Sequence, residues 1–285
     1  MLSPAALVGL RIDAREVAYS AADTLLYALS LGFGADPLDA HQLGYVYEQA
    51  QQVVPTFPLV VGYPGFFMRD PRFTLGWDRL LHAEEHLVLH RQLPPAGIVR
   101  DCTHIDALVD RGADKGCFVQ TRKELHSEND GLHLATLYSN LLCRDDGGGG
   151  SGGTPRPALE SAPASSPDRL ETVTTLPQQG LLYRLSGDTN PVHVDPDAAR
   201  RAGFDRPLLH GRCTLGLAVH AVMRACLAYD GAGITEIMVR FAAPFFPGET
   251  LQVSCWQTRD KIQFAAASAE RGIPVLSHGL IRLAD

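Results

Sequence analysis

The sequence predicts an α+β protein made of two copies of one sheet-forming unit, with a long buried helix in the second copy only. Three observations carry this. Leu25-Leu26-Tyr27-Ala28-Leu29-Ser30 matches Leu181-Leu182-Tyr183-Arg184-Leu185-Ser186 at five of six positions. The same order follows both: turn, helical segment, proline segment, block of strands. Between the copies, Asp145–Gly153 is low-complexity and a Pro/Ala/Ser stretch runs on to Pro167, the composition of a flexible linker. Finally, Leu215–Tyr229 has no proline and no polar face of any width, as in a helix buried on nearly all sides. The divisions are therefore 1–144, a linker at 145–168, and 169–285.

In order along the chain, Ile12–Tyr27 mixes polar and apolar residues with good helix formers and reads as a helix that Asp13 would cap. Gly32-Phe33-Gly34 makes a turn, and Gln42–Gln52 reads as a short helix or helical turn. Prolines 55 and 58 forbid a long element next, and residues 62–77 read as an extended loop. Strand-like runs follow at His86–His90, Gly97–Asp106, Gly116–His126 and His133–Arg144. The second copy ends on four more, Ile234–Ala243, Thr250–Thr258, Ile262–Ala269 and Pro274–Leu283. Where the second copy has its buried helix, the first has Pro58, Gly62, Pro64 and Gly65. The first sheet should thus leave an empty apolar groove, suited to a long acyl chain.

The 285 residues are 45 % hydrophobic and 20 % charged, with a formal net charge of −7 and no basic run of five or more. That argues against a nucleic-acid or anionic-membrane surface as partner. No apolar run approaches the ~20 residues of a membrane span. Six cysteines, at 102, 117, 143, 213, 226 and 255, contain no C-x-x-C pair, so neither a zinc site nor a redox pair is indicated. With no signal-peptide pattern at the start and no peroxisomal tripeptide at Leu283-Ala284-Asp285, a reducing cytoplasm is expected.

The chemistry concentrates at Tyr183–Pro196. Gly187, Asn190, Pro191 and Pro196 favour turns, and the segment sets Asp188 and His193 five residues apart. A carboxylate and an imidazole brought together can move protons near neutral pH. Counting back from the shared proline, Gly34 and Asp39 stand at the places of Asp188 and His193 in the first copy, so only the second keeps the pair.

Tyr183–His193 reads aromatic-x-Leu-Ser-Gly-Asp-x-Asn-Pro-x-His, and the pattern continues through Asp195-Pro196, Gly203-Phe204, Pro207–Gly211, Arg240-Phe241 and Pro247-Gly248. In these residues the chain resembles the hydratase 2 branch of the MaoC-like enoyl-CoA hydratases. Tyr27-Ala28-Leu29, Asp36-Pro37-Leu38, Leu81-His82 and Asp114-Lys115-Gly116 resemble the first half of their two-domain members. The resemblance implies a double hot-dog fold, a homodimer, and addition of water to a trans-2-enoyl-CoA to give an (R)-3-hydroxyacyl-CoA, without metal or other cofactor. It implies Asp188 and His193 as the acid–base pair, Asn190 as a residue that fixes either the water or the loop, and the Gly211 N–H as oxyanion donor. Substrate contacts would fall on His82, Lys115 and Phe241, with Ala83 standing where the family usually has Gly; His210 is read as structural. Three other classes stay open. They are a metal-dependent hydrolase using Asp188, His193 and Asp195, an acyl-CoA thioesterase, and a non-catalytic subunit that binds acyl-CoA.

Overall fold

The structure, a computed structural model, describes residues 4–62 and 80–284. The extended loop expected over 62–77, with Pro64 and Gly65, lies outside the described residues after Gly62. After a short helix α1 (Pro4–Leu7), the first half contains β1 (Arg11–Tyr19), α2 (Ala21–Ser30), α3 (Ala40–Val46), β2 (Leu80–Leu89), β3 (Gly97–Asp110), β4 (Cys117–Ser127) and β5 (His133–Cys143). A two-residue strand β6 (Gly152–Gly153) precedes the second half. That half runs β7 (Arg169–Thr174), α4 (Gln179–Tyr183), α5 (Pro196–Arg201), α6 (Gly211–Leu227), β8 (Ile234–Phe241), β9 (Thr250–Gln257), β10 (Lys261–Ser268) and β11 (Ile273–Leu283).

These strands form one sheet in the order β1-β3-β4-β5-β2-β8-β11-β10-β9-β7, with β6 paired to β3. The order is symmetric about the centre. Each half has its first strand at the outer edge and its second at the join. There β2 pairs with β8 antiparallel, from Glu84 opposite Arg240 to Val88 opposite Glu236. The Arg240–Glu84 ion pair (2.7 Å) and the His86–Glu236 contact (2.7 Å) fasten the join. Two copies of one meander joined edge to edge, one of them round a long helix, make the double hot-dog arrangement.

The helix α6 is longer at its start than the apolar run of the sequence, and Cys213–Met223 are buried throughout. It packs on β7, β9 and β10. Gly216 permits a close approach to α2, because a Cβ there would stand 2.7 Å from Leu31. Each fully buried Leu or Val of this helix contributes about 1.5–3 kcal/mol. Among the described residues, the corresponding place in the first half holds a 3-10 turn at Phe57–Leu59.

The expected helix over Ile12–Tyr27 is corrected: Asp13 lies within β1, and the helix starts after Ser20. Ser20 and Asp23 form a reciprocal capping box, with Ser20 N donating to the Asp23 carboxylate at 2.7 Å. An edge strand such as β1 carries charged residues on its solvent face, and these read like the polar side of a helix. In the second helical segment α3 ends at Val46, short of Gln52. Its N-cap is Asp39, which accepts from His41 N at 2.9 Å. The residue in the place of His193 has thus become a helix cap.

Residues 145–168 differ from a free linker by being tied along the sheet. The Asp110 carboxylate accepts from Gly148 N and Gly150 N at 2.8 Å each, and the Trp256 indole donates to Ser165 O at 2.8 Å. The glycines have a steric purpose: a Cβ on Gly147 or Gly153 would come within 2.0 or 2.1 Å of a carbonyl oxygen.

Candidate active site

The loop after α4 is shaped by residues with special backbones. Gly187 adopts φ 121°, open in practice only to glycine. Asn190 caps the 3-10 turn Pro191–His193, its side-chain oxygen accepting from Val192 N at 3.3 Å. The Asp188 carboxylate accepts from Asn190 N at 3.2 Å. These bonds turn the chain so that Asp188 and His193 face one space.

His193 Nδ1 lies 2.8 Å from Leu208 O. A carbonyl only accepts, so Nδ1 carries the proton and Nε2 keeps its lone pair in the neutral ring. Burial holds His193 below the usual imidazole range, against the opposing pull of Asp188 and of the Leu208 carbonyl. His210 stacks on it, ring centres 3.8 Å apart, and donates from Nε2 to the Asp188 backbone oxygen at 3.1 Å. Burial, and then the neighbouring His193, push His210 down to about 3. Its Nδ1 is buried without a partner among the described residues. Ligand-capable atoms of Asp188, His193 and His210 all lie within 4.8 Å of one another. Asp195, included in the metal reading, is occupied instead as the N-cap of α5.

Asp188, Asn190, His193 and Gly211 line one cavity of about 890 Å³ that continues into the first half. Gly211 is the first residue of α6, where backbone N–H groups have no acceptor within the helix and the dipole favours negative charge. It lies against the Phe241 ring, since a Cβ at Gly211 would be 3.2 Å from that ring. His82 and Ala83 line the same cavity. The β2–β5 register shifts between His82 and Glu84, and His82 reaches Glu85 at 2.9 Å. The rings of His82 and Phe241 are 4.9 Å apart. Lys115 is exposed in the β3–β4 turn and is not among the lining residues. It precedes Gly116, which packs against Cys143 and Arg144, and Arg144 does line the cavity.

Residues beyond the sequence reading also meet here. Glu85, wholly buried, takes Arg212 Nε at 3.0 Å. Lys123, on β4, lines the cavity in the first half with Thr103, Thr121 and Ser139. The groove expected there to be apolar is therefore polar along part of its wall. The signal was available in β4, where Thr121 and Lys123 alternate in phase with Val119 and Leu125 and so share their buried face.

Residues 158–277 match the model of a MaoC like domain, and residues 17–145 that of the MFE-2 hydratase 2 N-terminal domain. The chain is 33 % identical over 284 residues to an enoyl-CoA hydratase of Mycobacterium tuberculosis, with 96 % of each chain covered. It is 38 % identical over 237 residues to 3-hydroxyacyl-thioester dehydratase Y of that organism, covering 83 % of this chain and 81 % of the other. A crystal structure of a MaoC-like dehydratase from Phytophthora capsici superposes with a TM-score of 0.86 at 29 % identity, over 98 % of this chain and 97 % of that one. With both halves matched and relatives similar over nearly their whole length, the chain belongs to the MaoC-like hydratase 2 family, in its two-domain form.

Proposed function

We propose that the protein is an (R)-specific 2-enoyl-CoA hydratase, and in reverse a 3-hydroxyacyl-CoA dehydratase, working by acid–base catalysis from Asp188 and His193. The observation that carries this is their convergence within 4.8 Å on a cavity that Gly211 also lines. One water sits between the Asp188 carboxylate and the His193 Nε2 lone pair. Its oxygen bonds to carbon 3 as the double-bond electrons move toward the thioester oxygen. The proton it loses passes to the pair and returns to carbon 2, so that water's OH and H both end on the substrate. The Gly211 N–H meets the charge that builds on the thioester oxygen. Asn190 acts through the loop, whose turn its side-chain oxygen holds. His82, Ala83 and Phe241 contact the thioester arm, and Lys115 a phosphate at the rim.

The test is loss of enoyl-thioester absorbance with crotonyl-CoA and a medium-chain enoyl-CoA, with the product's hand read on a chiral column. Release of free CoA thiol in place of a hydroxyacyl-CoA would make the protein a thioesterase. A second reading rests on the Asp188–His193–His210 cluster as a metal site. One nitrogen of each imidazole is already committed to a carbonyl, and the acid–base reading needs no metal ion. Prolonged dialysis against a chelator should leave the rate unchanged; activity lost and regained with a divalent cation would favour the metal.

The pH dependence follows from His193. Burial favours its neutral form, so the lone pair persists below the ordinary value of 6.5. Plotted between about pH 5 and 8, kcat/KM should stay level through neutrality and fall only on the acid side of 6.5. An acid limb centred above that value would contradict the assignment.

No helix among the described residues is long and apolar enough to cross a membrane. All six cysteines are free, which suits a reducing compartment, so a cytoplasmic place goes with this reading. Leu29 on α2 and Leu181 on α4 are more than half exposed on helices that pack together, an apolar surface that a homodimer would cover.

A further inference from the structure

Resting on the hydratase reading, we propose that the acyl group this cavity accepts carries a carboxylate on its tail, which pairs with the Lys123 ammonium inside the first half. Lys123 is 6 % exposed, and its Nζ donates to Val61 O at 2.9 Å. An ammonium has three N–H donors, and among the described residues no carboxylate stands within ion-pair distance of this one. Its side chain lines the cavity that also holds Asp188 and His193. A buried cation without a counter-ion is costly, and a ligand's anion would relieve that cost.

The surroundings favour an anion over a plain alkyl tail. Lys123 stands opposite Thr103 and Leu137, and Thr121 opposite Ser139, so hydroxyls flank the ammonium on the same inner face. In the second half the corresponding inner face offers Val253, Cys255, Ile262 and Phe264, all buried beside α6. Nearby acids are already engaged. Glu85 pairs with Arg212 at 3.0 Å and His82 at 2.9 Å, and Asp101 lies 3.6 Å from Arg15. Among the described residues Lys123 is thus left without a carboxylate partner. Hydroxyl-bearing tails would satisfy Thr103, Thr121 and Ser139 but would not balance the Lys123 charge. Burial, and next Arg212, bring Lys123 down to about 7, with Asp101 and Glu85 opposing and Arg15 assisting. An incoming carboxylate would raise it again, so binding above neutrality should take up a proton.

Calorimetric titration with saturated acyl-CoAs tests this without turnover. Tails of matched length would end in carboxylate, hydroxyl or methyl, over a series of lengths. At the best length the wild-type protein should bind the carboxylate form about tenfold or more tighter than the methyl form. Lys123→Met should reverse that order, and because it removes a buried cation its melting temperature should not fall. Proton uptake near pH 8, read from buffers of different ionisation enthalpy, should accompany only the carboxylate form. A wild-type preference for methyl or hydroxyl at every length would overturn the proposal, and this comparison needs no variant. So would equal weakening of carboxylate and methyl forms by Lys123→Met. Crotonyl-CoA hydration by the wild type is measured alongside: its absence would sink the hydratase reading and leave the binding preference standing or falling on its own.

Discussion

Asp188→Asn and His193→Ala should each lower kcat for hydration of crotonyl-CoA by about three orders of magnitude, within the range that general acid–base groups supply. Asp188→Asn is the cleaner of the two. The amide oxygen can still accept from Asn190 N, and the backbone oxygen that His210 bonds is untouched, so the loop should hold. What disappears is a group able to take and return a proton. His193→Ala also removes the stack on His210 and the bond to Leu208 O, so a stability loss of about 1 kcal/mol should accompany it. KM should change little for either, because neither side chain is needed to hold the CoA arm. If the two share one water, the double variant should be scarcely worse than either single one, as for residues acting as a unit. Stopped-flow or steady-state absorbance, with melting curves in parallel, measures all three. Near-full activity in both single variants would remove the pair from the mechanism.

This loop was legible in the sequence because its geometry is local. Gly187, Asn190 and Pro191 dictate the turn wherever it is placed, so the separation of Asp188 and His193 along the chain translates directly into proximity. The helix α6 was legible for another reason: a run apolar on every side has only one place to go. The symmetric strand order was implicit in the repeat of Leu25–Ser30 at Leu181–Ser186, whose tyrosines Tyr27 and Tyr183 now meet with ring centres 5.9 Å apart. What escaped was what the sheet register assembles. Glu85 and Arg212 are 127 residues apart, and Lys123 meets Val61 across 62. No local pattern pairs such residues. The helix wrongly read over Ile12–Tyr27 failed for the opposite reason. There a local polar–apolar mixture suited two elements, and the capping box at Ser20 and Asp23 decided where one ended and the other began.

The buried pair that escaped should matter most to stability. Arg212→Met is expected to destabilise the fold by about 3–5 kcal/mol, the usual cost of leaving one partner of a buried ion pair uncompensated. Glu85 is fully buried, and Arg212 is the second residue of α6, so the pair couples the helix to the join between the halves. Arg212 also donates from Nη1 to Leu59 O at 3.0 Å, drawing in the 3-10 turn Phe57–Leu59 of the first half. The pH dependence identifies the cause. In the wild type burial pushes Glu85 up, yet Arg212 and then His82 pull it down to about 2. That pairing adds stability above the ordinary value of 4.5, and the contribution is lost as pH falls through about 2. Without Arg212, burial of Glu85 is opposed by His82 and the Ser139 hydroxyl but no longer by the guanidinium, so its carboxyl should shift upward. The variant should then gain stability, relative to wild type, as pH is lowered from about 7 to about 5. Urea unfolding at both pH values reads this as a narrowing gap. Adding Glu85→Gln to Arg212→Met removes the stranded charge and should recover much of the loss, so that the two substitutions are strongly non-additive. A double variant no more stable than Arg212→Met would show that the arginine acts through packing and its other hydrogen bonds, not by neutralising Glu85.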